Sequence, residues 1–265
     1  MKSLAFEIIG EILIIRESAD DKILKDFAKE KMKKHTYIKT VVLQTAKVQG
    51  QERTRELRYI LGSQNLETIH SEYGCQYLLN PLDTFFSPRL SFERQRIACL
   101  VNEDEVILNF FAGVGPFSIA IARKQPKCFI NSIEINQKSC RYMKKNVELN
   151  KCEDIIAIYC GDAFEIIPQK FLNSIDRVLL PLPMESERSL PLAIKCLKGG
   201  EGTIHWQITE HLDSKDIELT MVEKRICKSL SKESLESKLK IEEYRVIRWI
   251  APRIAHIAID LKLFK

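Results

Sequence analysis

The sequence predicts an α/β chain: a doubly wound, mostly parallel sheet behind a small α+β module. Three observations predict it. Ile107-Leu-Asn-Phe-Phe-Ala-Gly-Val-Gly-Pro-Phe-Ser-Ile-Ala-Ile-Ala-Arg123 reads as a buried strand, a glycine turn and a helix. A second apolar strand, Cys128–Ile133, follows and ends in an acid, Glu134. Beyond it, apolar strands near Ile155–Cys160, Arg177–Leu180, Gly202–Gln207 and Ala255–Leu261 alternate with helical stretches. That alternation belongs to a sheet covered by helices on both faces.

The elements follow in order. Phe6–Ile15 is a strand pair bent at Gly10. Asp21–Lys34 is a lysine-rich amphipathic helix with Ile23, Leu24, Phe27, Ala28 and Met32 inward. Tyr37–Leu43 is a β-branched strand, and Lys47–Arg58 is polar and basic. Thr68–Leu79 reads as a hairpin. Residues 1–80 thus form the α+β module, and Pro81 and Pro88 flank a link into a second domain over 81–265. There Leu90–Val101 is a helix leading into the first strand, Lys215–Ser237 is charged and helical, and Ile241–Arg248 is a strand.

Composition bounds the function classes. A chain of 265 residues, 45% hydrophobic, can bury a sizeable core. The net charge of +5 permits nucleic-acid binding without demanding it. Eight cysteines are scattered with no C-x-x-C pair, which speaks against a zinc site or a disulfide framework and for a reducing, cytoplasmic setting. No secretory leader and no apolar run of about 20 residues is present, so neither export nor a membrane partner is expected.

The glycine turn carries the chemistry. Gly113 and Gly115 remove two Cβ atoms where the backbone bends hardest, so main-chain N–H groups can approach a ligand. Glu134 lies at the distance expected for a carboxylate on ribose hydroxyls. The glycines are G-x-G rather than G-x-G-x-x-G, and no Lys-Ser/Thr follows them, which weakens dinucleotide and ATP readings. S-adenosylmethionine is the nucleoside cofactor that fits best. It is expected across Phe111, Ala112, Gly113, Val114 and Gly115, with Glu134 and Ile135 at the ribose and Asp162 and Ala163 near the adenine. Asp162 suits equally the N-cap of a following helix.

Two further segments are less distinctive by themselves. Pro181 and Pro183 stiffen a loop beyond the fourth strand, where open α/β sheets bind ligands. Around the link, Phe85 and Phe86 suit base stacking or core packing, and Arg89, Arg94 and Arg96 suit phosphates or solvent. Glu93 falls in the first turns of a helix, where a carboxylate is favoured anyway. The cluster at Gln51–Arg58 reads as a wet face, and His70 and His205 show no metal spacing.

Together the segments resemble one family. Gly50-x-x-Arg53-Thr-Arg-Glu56, Thr68-Ile-His-x-Glu-Tyr-Gly74, Phe86-Ser-Pro-Arg-Leu-Ser-x-Glu-Arg94 and Phe111-Ala-Gly-Val-Gly-Pro-Phe117 occur in that order in the archaeal and eukaryotic tRNA (guanine-37, N1) methyltransferases. Ile133-Glu-Ile-Asn136, Lys145-Asn146, Leu149-Asn150 and Ala251-Pro-Arg253 extend the resemblance over nearly the whole chain. It implies a class I methyltransferase (Rossmann-like) domain behind the α+β module, with Glu93 as general base and Arg53 on the guanine oxygen. Arg89, Arg94, Pro181, Pro183 and Arg253 are then expected at the RNA. The implied partner is the anticodon stem-loop of tRNA, met by a monomer without metal. The wider superfamily also holds wyosine-pathway enzymes, including an aminocarboxypropyl transferase. Three features depart from the pattern. Pro181 stands where the family loop usually begins with Asn, Asn109 stands where an Asp commonly closes the first strand, and the sequence opens on the module, from which a form lacking the extra N-terminal domain of many archaeal members is expected.

Overall fold

A computed structural model describes residues 4–46, 55–213, 217–230 and 239–264. Its first sheet has four strands in the order β1-β2-β3-β4, with β1 at Phe6–Ile9, β2 at Ile12–Ile15, β3 at Thr40–Gln44 and β4 at Leu57–Gly62. Helix α1, Asp21–Lys34, connects β2 to β3 and lets them run parallel. It buries Leu24, Phe27 and Ala28 against Leu13, Ile15, Val41 and Leu43. The third strand begins at Thr40 rather than Tyr37. The sequence does not announce β4, because Ile60 is the one residue of that strand buried from solvent.

The hairpin β5–β6, Thr68–Glu72 and Cys75–Leu79, joins neither sheet. It docks on helix α4, Gln137–Leu149, through two asparagines. The Asn146 side chain accepts from Leu78 N (2.7 Å) and donates to Leu78 O (3.1 Å). Asn150 does the same for Gln76 at 2.9 and 2.6 Å. Each amide thus mimics a neighbouring strand and satisfies an edge whose backbone groups would otherwise be orphaned. The paired Asn146 and Asn150 of the sequence motif are therefore structural clamps.

The second sheet has seven strands in the order β12-β13-β11-β10-β7-β8-β9. Strands β7 (Val106–Asn109), β8 (Phe129–Glu134), β9 (Ile156–Cys160), β10 (Arg177–Leu180) and β11 (Gly202–His211) are parallel. Strand β13, Ile254–Leu263, lies antiparallel between β11 and β12, Leu239–Ala251. Helices α2 (Ser91–Leu100), α3 (Pro116–Lys124) and α4 pack with the hairpin on one apolar cluster. Helices α5 (Ala163–Lys170), α6 (Ser186–Cys196) and α7 (Leu219–Leu230) pack on the other, around Trp206. The chain reverses direction across the sheet between β7 and β10, and crevices at such a switch point are where ligands bind. No helix among the described residues is long and apolar enough to cross a membrane.

Candidate active site

A cavity of about 290 Å³ opens at that switch point. The carboxyl ends of four parallel strands line it: Phe110–Gly113 after β7, Glu134 and Ile135 at β8, Gly161–Phe164 after β9, and Pro181 and Leu182 after β10. Phe85, Phe86, Ser87, Leu90 and Arg94 close the remaining side from the link and α2.

The glycine turn is held by the acid opposite it. Gly113 and Gly115 have φ of +58° and +89°, a left-handed conformation that favours glycine. A Cβ on Gly115 would stand 3.0 Å from Met143 Cγ. Gly115 begins α3, with Pro116 in its first turn. The Glu134 carboxylate accepts from Gly113 N at 2.7 Å and from Asn136 N at 2.9 Å. Asn136 in turn caps α4 through Lys138 N and Ser139 N. Asp162 caps α5, accepting from Phe164 N at 2.8 Å, and also faces the cavity, so it serves the capping role the sequence left open.

These residues suit a purine nucleoside carrying a cationic side arm. A carboxylate stands at the end of β8. Phe111 and Phe164 form an apolar wall with ring centroids 6.2 Å apart. Arg188 lies over Phe164 at 3.7 Å. S-adenosylmethionine, whose ribose offers two hydroxyl donors and whose adenine is flat and apolar on its faces, fits this donor set.

Glu93 lies behind the wall. It is 1% exposed on α2 and does not line the cavity, although Leu90, one helical turn earlier, and Arg94 do. Arg96 donates to both carboxylate oxygens, at 2.8 and 3.2 Å, and Arg245 of β12 donates to one of them. Burial pushes the Glu93 carboxyl above its ordinary value, more than Arg96 pulls it down. The pair belongs to a buried chain of alternating charge. Arg96 also bonds Asp260 on β13, Asp260 bonds His205 Nδ1 at 2.7 Å, and Arg177 Nη1 meets His205 Nε2 at 2.7 Å. A guanidinium can only donate, so Nε2 accepts and Nδ1–H donates to Asp260. His205 is therefore neutral despite its carboxylate neighbour, and burial lowers its pKa accordingly. For Asp260, burial pushes upward, but hydrogen bonds from His205 and Arg96 outweigh it and hold the carboxyl below the usual range.

The structure brings together Phe111, Ala112, Gly113, Glu134, Ile135, Asp162, Ala163, Arg94 and Pro181 at one cavity. Val114 is core, and Gly115 shapes the turn. Pro183 starts a short 3-10 turn beside cavity residues Leu182 and Met184. Arg253, at φ +60°, occupies the β12–β13 turn. Arg53 lies outside the described residues. Arg94 and Arg96 are not free for phosphates: Arg94, 1% exposed, bonds Glu72 at 2.5 and 2.6 Å and the Ser87 carbonyl. Arg89 is exposed. Sequence reasoning missed Phe164, Arg188 and Ser139. An aromatic after Asp162-Ala163 is a usable signal for the first; Ser139 reaches the cavity from the first turn of α4, just after Glu134, and Arg188 from α6.

The description "TRM5/TYW2 methyltransferase domain" matches residues 68–241. Trm5b of Pyrococcus abyssi, named a tRNA (guanine(37)-N(1))-methyltransferase, is 36% identical over 98% of this chain and 74% of its own length. Taw21 of Saccharolobus solfataricus, a tRNA 4-demethylwyosine(37)-methyltransferase, is 31% identical over 97% of this chain and 92% of its own. Among solved structures, the complex of aTrm5 and tRNALeu superimposes with a TM-score of 0.81 at 30% identity, covering 99% of this chain and 72% of that one. The match over more than half the chain, the full-length relatives and the shared sheet agree: this chain belongs to the TRM5/TYW2 family of S-adenosylmethionine-dependent enzymes with the class I methyltransferase fold.

Proposed function

We propose that this chain moves the methyl group of S-adenosylmethionine to N1 of guanine-37 in tRNA. The observation that carries this reading is Glu93, a buried carboxylate with a raised pKa one helical turn from the cavity wall. N1 of neutral guanine bears a proton that must leave as the methyl arrives. A carboxylate whose pKa is lifted toward neutrality is a better acceptor than an ordinary surface glutamate. Aminocarboxypropyl transfer to a carbon atom makes a different demand.

The cofactor, when bound, supplies an electrophilic methyl group on a sulfonium. Glu134 would hold the ribose hydroxyls, Phe111, Ile135 and Phe164 would flank the adenine, and Asp162 would lie beside it at the start of α5. The guanine enters between Pro181 and the link. Arg96 keeps the Glu93 carboxylate oriented, and the incoming base replaces Arg245, whose side chain is 22% exposed. Arg53 then stabilises the charge that builds on O6. The remaining contribution is alignment of sulfur, methyl and N1.

Pro181 favours one second reading. Its ring offers no hydrogen-bond donor, so main-chain carbonyls meet the purine edge there, and a wyosine intermediate at the same nucleotide is the alternative substrate. Taw21, at 31% identity, is a relative with that activity. Nucleoside mass analysis separates the readings. Incubation with unmodified tRNA and S-adenosylmethionine should yield 1-methylguanosine at position 37. An aminocarboxypropyl adduct, or reaction confined to tRNA carrying the wyosine intermediate, overturns the proposal.

A further inference from the structure

Three guanidinium groups converge where β12 crosses the link, on the outer side of the cavity wall. Arg248 of β12 donates to Ser87 Oγ at 3.2 Å. Arg55, buried at the start of the segment into β4, donates to the Phe86 carbonyl at 3.0 Å and lies over the Phe85 ring at 5.9 Å. Phe85, Phe86 and Ser87 all line the cavity. Arg89, two residues further on, is exposed and makes no ion pair or hydrogen bond among the described residues.

Among the described residues the charges there do not balance. The carboxylate facing the group is Glu7, already taken by Arg55 at 2.6 Å. The Nε–H groups of both Arg55 and Arg248 are buried without an acceptor among the described residues. Burial lowers the Arg248 pKa, and the neighbouring Arg89 and Arg55 lower it further. Desolvated like charges and unmet buried donors are both costly unless an anion completes them. The open fork of Arg89, beside the partly occupied guanidinium groups of Arg248 and Arg55, is suited to the oxygens of a phosphodiester.

The geometry points to a phosphate notch: Arg55, Arg89 and Arg248 hold an RNA backbone phosphate beside the nucleotide whose base enters the cavity. This rests on the proposed RNA substrate and adds the place where its backbone is gripped. Because Arg55 and Arg248 grip the same loop that walls the cavity, a phosphate in the notch ties backbone binding to the shape of the base pocket.

Affinity for an unmodified tRNA transcript between about 50 and 200 mM KCl tests the notch. Arg248→Gln and Arg89→Gln should each flatten the plot of log affinity against log salt, and the double variant should flatten it by about 0.7, the loss of one single-strand phosphate contact. Arg248→Lys, which keeps the charge, should retain the wild-type slope. Each variant is first titrated with S-adenosylmethionine to establish that it is folded. If Arg248→Gln does not fold, exposed Arg89 still gives the readout. Wild-type slopes in folded Gln variants overturn the notch, and so does a wild-type protein that does not bind tRNA. Flattened slopes in a protein that leaves guanine-37 unmethylated keep the notch and sink the proposed reaction. Methylation with unchanged slopes does the reverse.

Discussion

Replacing Glu134 by alanine tests the cofactor site most directly. Two main-chain donors end on this carboxylate, Gly113 N at 2.7 Å and Asn136 N at 2.9 Å. A hydrogen bond to a charged group contributes about 1.5–3 kcal/mol, and removing the acceptor leaves donors to be resolvated. Gly113 N lines the cavity, where water can replace the lost oxygen in the free protein, whereas Asn136 is buried and keeps part of the cost in the free protein. With nucleoside bound, water is excluded, and the ribose loses its acceptor at the same time. The net loss in cofactor affinity should be about 1–3 kcal/mol, or about 5-fold to 150-fold in Kd. Glu134→Gln retains one carbonyl oxygen, can satisfy one of the two donors, and should fall between. Calorimetric titration with S-adenosylmethionine reads the Kd, and thermal unfolding of the unliganded variant reads the loosening of the turn. A folded Glu134→Ala protein with wild-type Kd would refute the assignment of the ribose to this acid and of the turn to its control.

Other expectations can be measured alongside it. Glu93→Gln should slow single-turnover methyl transfer by about 10²–10⁴-fold and remove the rise of rate with pH, a rise that in the wild type should lie above the ordinary glutamate value of about 4.3; a wild-type rate in that variant would take Glu93 out of the mechanism. Asp260 is held below its unfolded value, so it contributes stability above about pH 4 that is lost as pH falls through the folded value. Glu93 acts with the opposite sign, since its raised folded value stabilises at low pH and is lost as pH rises. Urea unfolding between pH 7 and pH 3 should show the wild type losing more stability toward the acid end than Asp260→Asn, and equal slopes would refute the pairing. Trp206→Ala should cost about 3–5 kcal/mol by denaturant unfolding, because the ring is fully buried and its Nε1–H bonds the Ser186 carbonyl at 3.0 Å. A loss below about 1 kcal/mol would show that the second apolar cluster collapses around the gap.

What the sequence made legible was local. The β7–glycine–α3 unit and the acid at the end of β8 follow from residues close along the chain, and periodicity placed α1 to the residue. Two features escaped because their causes lie elsewhere. Strand β4 has an unpatterned sequence and exists because β3 offers it an edge. The environments of Glu93 and Arg94 were invisible for the same reason. Their helix was evident, but their partners sit on β12 and β5, 152 and 22 residues away. Arg248 carried no signal at all, since only the fold brings it to Ser87.

The place of β13 bears on how the protein comes to life on the ribosome. Strand β13 is the last strand described, yet it sits inside the sheet, between two strands made before it. While it is still unmade, β11 presents an open edge and β12 has no partner, a template for mispairing with other nascent chains. Asp260 arrives with it, so Arg96 and His205 wait without their carboxylate until β13 has been made. The ion network around Glu93 is therefore complete only once β13 is in place, and a chain stalled short of β13 holds the glycine turn and its acid but lacks the carboxylate that supports Arg96.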